Sequence, residues 1–294
     1  MAFIFLHIPK TGGTFVDSIV SASSVKSLHA VGTNKEKISL INSKNFDDQP
    51  EYIAGHMTMN ILAECVDDLD SHIVVSLVRH PFDRFISGVN YLIEILGRGL
   101  EFYQQHALGA KMRILKTYFA LQSEYCQDLT HLLDFESKNY IAKFLIQNND
   151  LKKIEQADVS ECVETLKQCI SRYKFLMSLE NDGGQKLLDY TCEKLKIDQS
   201  LLPSPKRNAS QNYVNLYSLI KSGFIEYNRQ NSRIDSLLYL MVHQGLSGDD
   251  LRSMTWEDIS LKCEELFFRN SSYISKPCSK IPRNVTECVQ KILE

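Results

Sequence analysis

The chain has 294 residues, with 33 lysines and arginines against 36 aspartates and glutamates, so its formal net charge is −3. Hydrophobic residues make up 44% and charged residues 23%, a balance typical of a folded enzyme and unlike that of a disordered or low-complexity chain. Because the chain has no basic excess and no apolar run of the roughly 18 to 20 residues that a membrane span needs, composition argues against a dedicated nucleic-acid or membrane protein.

The amino-terminal segment predicts a strand, a loop and a helix. Residues 2–8 are almost wholly apolar and lead into a pair of glycines, which indicates a buried strand that feeds a turn. The same run lacks the basic region and cleavage site of a signal peptide. Thr14 and Asp17 match the spacing of a capping box, so we expect a helix to begin near Thr14.

Further along the chain, strands alternate with helical patterns. Apolar runs predict strands at 52–55, 73–78 and 173–179. Helical spacing predicts helices at 81–96, 185–196, 218–243 and 256–268 and over most of 100–170, with a polar tail after 268. This alternation is typical of an α/β fold with a mainly parallel sheet and helices on both faces.

We expect one domain over residues 1–294. It would consist of a core of about 1–96 and 173–243, a helical insertion of about 97–170 and a carboxyl-terminal helical extension of 245–294. The eight cysteines are dispersed and have no zinc-ligand spacing, which favours reduced thiols and a cytoplasmic protein.

The stretch HIPKTGGTF, residues 7–15, predicts an anion-binding loop. Its two glycines allow a sharp turn, and the helix that follows presents free N–H donors and a positive dipole end. Lys10 and the hydroxyl groups of Thr11 and Thr14 add a charge and further donors. The alternative is a tight turn with a solvated lysine. The stretch is not a Walker A loop, because there the lysine follows the glycines.

The stretch VRHPFDRFISG, residues 78–88, is the second candidate. Arg79 comes where an inner strand ends, which is the edge of a parallel sheet where ligands bind. Ser87 follows on the next helix, so the two side chains could share one phosphate. The alternative is that Arg79 and Arg84 pair with surface acids.

Together, PKTGGT after a first strand and LVRHPFDRFISG on a later strand and helix resemble the sulfotransferases that use 3′-phosphoadenosine 5′-phosphosulfate (PAPS). They are most similar to the carbohydrate branch typified by heparan sulfate 2-O-sulfotransferases. The resemblance extends more weakly to about residue 240. It implies a three-layer α/β/α fold like that of P-loop nucleotide kinases, PAPS as sulfuryl donor, the nucleotide product PAP, and an acceptor hydroxyl, most simply on a carbohydrate.

The resemblance also implies roles for particular residues. By this resemblance the first loop binds the 5′-phosphosulfate, through Lys10, Thr11, Gly12, Gly13, Thr14 and Phe15. An arginine and a serine eight positions later, which are Arg79 and Ser87, bind the 3′-phosphate.

His56 is the expected catalytic base. Gly55-His56 resembles the Gly-His segment that holds the base in the 2-O branch, and a histidine that titrates near neutrality can take a proton from a hydroxyl. That branch often has a further histidine two positions earlier, where Ala54 stands here, so a supporting partner is either absent or supplied elsewhere. Glu51 and Glu180 are the alternative bases.

No metal site is expected, because the other histidines lack ligand spacing and Lys10 with the loop N–H groups can stabilise a departing phosphate. Loop 205–210 lies where related enzymes close over the nucleotide, although a solvated loop is the alternative.

Two other functions are alternatives: a non-catalytic module that binds PAP or another nucleotide, and a nucleotide kinase-like enzyme. Neither nucleic acid nor a membrane is expected as a partner, and the sequence leaves the acceptor and the oligomeric state open.

Overall fold

The computed structural model describes residues 1–42, 50–66, 68–122, 138–198, 200, 211–245 and 248–294. The chain divides into two compact units whose ranges interleave. The first comprises Met1–His80, Asn139–Asn208 and Arg233–Cys263, and the second comprises Pro81–Lys138, Ala209–Ser232 and Glu264–Glu294. These boundaries differ from those of the predicted core, insertion and extension, and the single domain stays a prediction.

In the described part of the chain, a parallel sheet of five strands forms the centre of the first unit, which confirms the predicted α/β fold class. The strands are β1 (Phe3–Leu6), β2 (Ser27–Ala30), β3 (Tyr52–Gly55), β4 (Ile73–Val78) and β5 (Phe175–Ser178). Their order is β2-β3-β1-β4-β5, and every neighbouring pair is parallel.

The helices of both units are numbered in chain order. They are α1 (Thr14–Ala22), α2 (Asn34–Asn42), α3 (Met59–Cys65), α4 (Pro81–Gly97), α5 (Leu100–Gln104), α6 (Leu108–Gln122), α7 (Tyr140–Leu145), α8 (Asn148–Ile154), α9 (Val159–Ile170), α10 (Gly183–Leu195), α11 (Leu216–Lys221), α12 (Phe224–Asn231), α13 (Arg233–Gln244), α14 (Gly248–Arg252), α15 (Trp256–Asn270), α16 (Ser272–Ser275) and α17 (Arg283–Leu293). Short 3₁₀ turns lie at Leu69–Ser71 and Leu179–Asn181.

Side chains on both faces of β1 are buried, which explains its uninterrupted apolar sequence. On one face, Phe3 and Phe5 pack in a hydrophobic cluster with side chains of α1 and α10. Ile4 and Leu6 point to the opposite face and have no exposed surface. The central strand of the sheet is therefore covered on both sides.

The strand order places a switch point at the centre of the sheet. After β1 the chain builds β2 and β3 on one side, and it then crosses to form β4 on the other side of β1. In parallel α/β sheets, ligands bind outside the carboxyl ends of the strands at such a point. The loops that follow β1 and β4, which carry the two motifs, are the loops at this position.

The second unit consists of helices in the described residues and has two hydrophobic clusters. Aromatic rings dominate the first, where Phe82 lies 5.1 Å from Phe224 and 5.2 Å from Phe267 between ring centroids. The second cluster joins residues of α4 and α6 to the apolar face of α17.

The secondary structure differs from the sequence predictions in three places. β2 was not predicted, because its four residues, SLHA, form an edge strand that is too short for a clear pattern. The single helix predicted at 218–243 is three helices, separated at Gly223, whose φ of 85° turns the chain, and at Ser232. The predicted polar tail contains α17, which buries Val285, Cys288 and Val289 on one face.

We predict that Asp235→Ala lowers the free energy of unfolding by about 2 to 4 kcal/mol. The Asp235 carboxylate is 2% exposed and accepts hydrogen bonds from the N–H groups of Ile141 (3.0 Å) and Ala142 (2.8 Å) at the start of α7. The substitution leaves these buried donors without an acceptor. Urea denaturation measures the change, and the exposed Asp249→Ala serves as control, with an expected effect within about 0.5 kcal/mol. Equal stabilities of the two variants would contradict this account of α7.

Candidate active site

The loop after β1 has an unusual backbone. Lys10 (φ 69°) and Gly12 (φ 86°) are both left-handed, while Gly13 (φ −63°, ψ −25°) is helical and is the N-cap of α1. A left-handed lysine is strained, and strain of this kind is concentrated at functional sites. Alternation of left-handed and helical residues turns successive N–H groups into one concavity that suits an anion.

Three backbone donors of this loop are unsatisfied. Within the residues that the structure describes, the N–H groups of Gly12, Gly13 and Thr14 have no acceptor, whereas that of Phe15 donates to the carbonyl of Gly12 (3.3 Å). Gly12 and Thr14 are exposed to solvent. Because these donors lie at the positive end of α1, their arrangement suits an anion, and the binding of an anion there stays a prediction.

Both glycines of the loop are required by their surroundings. A Cβ on Gly13 would lie 2.6 Å from Nε2 of His7. A Cβ on Gly12 would lie 2.8 Å from Leu179, and the φ of Gly12 already disfavours any side chain. The two glycines therefore let the loop pack closely against His7 and Leu179, with Gly12 exposed and Gly13 buried.

Thr11 shapes the loop from within. Its side chain is fully buried, and both its hydroxyl (2.8 Å) and its N–H (3.3 Å) donate to the carbonyl of Ile8. Phe15 is half-buried and packs against the hydrophobic cluster of β1 and α1. Direct contact of Thr11 or Phe15 with a phosphosulfate stays a prediction.

The predicted capping box is wrong. α1 begins at Thr14 with Gly13 as N-cap, and no side chain caps the helix. The reason is that the Asp17 carboxylate has other partners. It accepts a hydrogen bond from the hydroxyl of Tyr52 in β3 (2.6 Å) and lies 3.1 Å from Nδ1 of His7 at the end of β1.

Arg79 of the second motif contacts the first motif. It follows β4, the neighbour of β1, and its Nη1 donates to the carbonyl of Lys10 (3.2 Å). Ser87 lies in α4 of the second unit and is 5% exposed. Its part in binding a 3′-phosphate stays a prediction from the motif spacing.

The two alternative bases differ in position from His56. Glu180 accepts the backbone N–H of His80 (2.9 Å) and so supports the loop after β4. Glu51 precedes β3 and lies at the amino end of that strand, opposite the edge where the motif loops lie. Only His56 follows directly on the carboxyl end of β3.

His56 keeps exposed surface, but its ring packs against that of His7 and lies among charged groups. Its ring centroid is 4.9 Å from that of His7, with the planes at 71°, and its carbonyl accepts a hydrogen bond from Nζ of Lys37 (2.7 Å). Desolvation of the ring, followed by its electrostatic interactions with His7 and Lys37, lowers the pKa of His56 to about 4, although Asp17 opposes the shift. The expectation of titration near neutrality is thus wrong. His56 is neutral at pH 7 and a weaker base than an ordinary histidine.

His7 and Lys37 are site residues that the sequence analysis missed. In the parallel register of β1 and β3, Leu6 lies opposite Gly55, so the next residues, His7 and His56, are neighbours. The N–H of His7 donates to the carbonyl of Gly55 (3.1 Å). A second histidine is therefore present beside His56, but it comes from the adjacent strand and not from position 54.

Three further expectations concern loop 205–210, a metal site and a membrane span. Loop 205–210 lies outside the residues that the structure describes. Among the described residues, no group of three or more histidine, cysteine, aspartate or glutamate side chains could hold a metal ion, and no helix has the length and apolar character to cross a membrane.

Comparison with known proteins identifies the family. A model of the sulfotransferase family matches residues 2–224, which include the sheet, both motif loops and His56. Searches among curated proteins and among solved structures gave no significant match. Since the matched region covers well over half of the chain, the protein belongs to the sulfotransferase family.

Proposed function

We propose that the protein transfers the sulfuryl group of PAPS to a hydroxyl group of an acceptor, most simply a carbohydrate, and releases PAP. The observation that carries the proposal is a set of three N–H groups at the start of α1, those of Gly12, Gly13 and Thr14, that have no acceptor among the described residues. Membership of the sulfotransferase family supports sulfuryl transfer as the reaction type.

The loop after β1 fits a phosphosulfate. Both groups of a phosphosulfate are anionic, and the loop offers backbone donors at the positive end of α1 and carries Lys10. As the bond between sulfur and the bridging oxygen breaks, negative charge develops on the departing phosphate. Lys10 and the loop N–H groups would stabilise that charge, and as fixed donors they need little reorganisation to do so.

Arg79 would provide selectivity for a nucleotide with a 3′-phosphate. Its bond to the carbonyl of Lys10 holds the guanidinium beside the loop, at the switch point of the sheet. Guanidinium groups bind phosphate with directed hydrogen bonds. Ser87 is the second donor that the motif spacing proposes for this phosphate.

His56 would accept the proton of the acceptor. The acceptor oxygen attacks sulfur, a new S–O bond forms, and the S–O bond to the phosphate breaks with its electron pair passing to PAP. The hydroxyl proton passes to the imidazole of His56, which is neutral at pH 7 and therefore able to receive it.

A non-catalytic module that binds PAP or another nucleotide is the second candidate, and the weak basicity of His56 is the observation that favours it. A nucleotide kinase-like enzyme is a weaker candidate, because the loop has no lysine after its glycines. The cytoplasm remains the proposed compartment, on the dispersed spacing of the cysteines.

We predict that Arg79→Ala weakens PAP binding about 10- to 100-fold, the loss expected for charge-assisted hydrogen bonds, and changes binding of 5′-AMP less than about twofold. Isothermal titration calorimetry measures both affinities. Arg172→Ala, an exposed arginine of the same unit, is the matched control and should bind PAP like the unchanged protein. Equal losses for PAP and 5′-AMP would remove Arg79 from the 3′-phosphate site.

We predict that His56→Gln lowers sulfuryl transfer at least about 100-fold and leaves the affinity for PAP unchanged, because the base acts on the acceptor and not on the nucleotide. Transfer is measured with radiolabelled PAPS and an acceptor found by screening hydroxyl-bearing sugars. His106→Gln in the second unit is the control.

The pH dependence provides a second readout of His56. Because its pKa is about 4, the base form is complete at pH 6 to 8 and is lost as the pH falls through 4. We therefore expect the contribution of His56 to kcat to be flat across pH 6 to 8. Undiminished transfer in His56→Gln would show that the base lies elsewhere.

A further inference from the structure

The ring of His7 is enclosed on several sides. The residue is 8% exposed, and its ring stacks on Phe5 with centroids 5.4 Å apart and an angle of 6° between the planes. The edge-to-face contact with His56 lies at 4.9 Å, and Nε2 occupies the space next to Gly13 where a Cβ would otherwise be. His7 thus contacts both the anion-binding loop and the proposed base.

The Asp17 carboxylate fixes the rotation of the His7 ring. Oδ2 of Asp17 lies 3.1 Å from Nδ1 of His7, and Oδ1 accepts the hydroxyl of Tyr52 at 2.6 Å. Tyr52 is fully buried, and its burial together with the charge of Asp17 raises the pKa of the hydroxyl well above its ordinary value, so it remains a donor. A carboxylate held in this way keeps a proton on Nδ1 of His7 and sets the orientation of the imidazole.

We propose that His7, oriented by Asp17 and Tyr52, is a positioning residue that fixes the ring of His56 for proton transfer. The inference rests on the proposed function, in which His56 is the base. Asp17 and Tyr52 hold the orientation of His7, and His7 supports the proposed base in a chain with alanine at position 54. The support comes from the strand next to β3.

The charged groups that face His56 come from four segments. They are His7 after β1, Lys10 in the following loop, Asp17 on α1 and Lys37 on α2. Positive charge on His7 disfavours a proton on His56, and the negative charge of Asp17 favours one. Loss of His7 should therefore change both the orientation of the His56 ring and its affinity for protons.

The test compares His7→Phe with Ile4→Val. His7→Phe keeps an aromatic ring and removes the bond to Asp17, whereas Ile4→Val shortens a fully buried side chain of β1 on the sheet face opposite Phe3 and Phe5. Four quantities are measured: the pKa of the His56 imidazole by NMR titration, the affinity for PAP by calorimetry, and kcat and KM for transfer. The His56 resonance is assigned from its loss in His56→Gln.

For His7→Phe we expect the pKa of His56 to rise above about 4, kcat to fall about 10-fold or more, and the affinity for PAP to stay within about threefold of the unchanged protein. Ile4→Val should leave the pKa of His56 and kcat unchanged. If the pKa of His56 or kcat is the same in His7→Phe as in Ile4→Val, the proposal is overturned.

A second variant keeps the proposal testable if His7→Phe does not fold. Asp17→Asn keeps an oxygen that can accept the Tyr52 hydroxyl, so α1 stays attached to β3, and it removes the charge that orients His7. It should lower kcat about 10-fold or more with little change in KM for PAPS. An unchanged kcat in a folded Asp17→Asn protein overturns the role of the pair. Failure of the proposed function is recognised separately, by absence of PAP binding in the unchanged protein or by full transfer in His56→Gln. The NMR titration of His56 can be measured even if the protein shows no transfer activity.

Discussion

The Asp17 carboxylate holds the parts of the candidate site together. It belongs to the first turns of α1, and its two oxygens bind one side chain at the end of β1 and another in β3. A partly buried carboxylate is costly unless it is hydrogen-bonded, and here both oxygens have partners. Since the partners are His7 and Tyr52, the amino end of α1 is fixed relative to the sheet. The unsatisfied donors of Gly12 to Thr14 are fixed with it.

The sheet order explains why distant parts of the sequence meet at this place. The adjacent strands β3, β1 and β4 end at the same edge, and each is followed by one part of the site. These parts are His56, the anion-binding loop with Lys10, and Arg79. The bond between Arg79 and the carbonyl of Lys10 joins residues that are far apart in the chain. The same arrangement separates the proposed roles, with nucleotide binding at β1 and β4 and proton transfer at β3.

The sequence predicts those features that depend on local pattern. Buried strands such as β4 have continuous apolar runs, and the glycines after β1 indicate a sharp turn, so the fold class and the position of the loop follow from the sequence. Features that depend on tertiary contacts do not. Asp17 looks like a capping residue until the hydroxyl of Tyr52 is known to bind it. The importance of His7 depends on the register between β1 and β3, and the pKa of His56 depends on charges from several segments.

The central claim is that the loop after β1 and the arginine after β4 form a site for a nucleotide with both a 5′-phosphosulfate and a 3′-phosphate. Its most direct test is calorimetric titration of the unchanged protein with PAP, 5′-AMP and ATP with magnesium. The account predicts that PAP binds at least about tenfold more tightly than the other two, because only PAP offers a phosphate to Arg79 as well as to the loop. Preference for ATP, or equal binding of PAP and 5′-AMP, would contradict it.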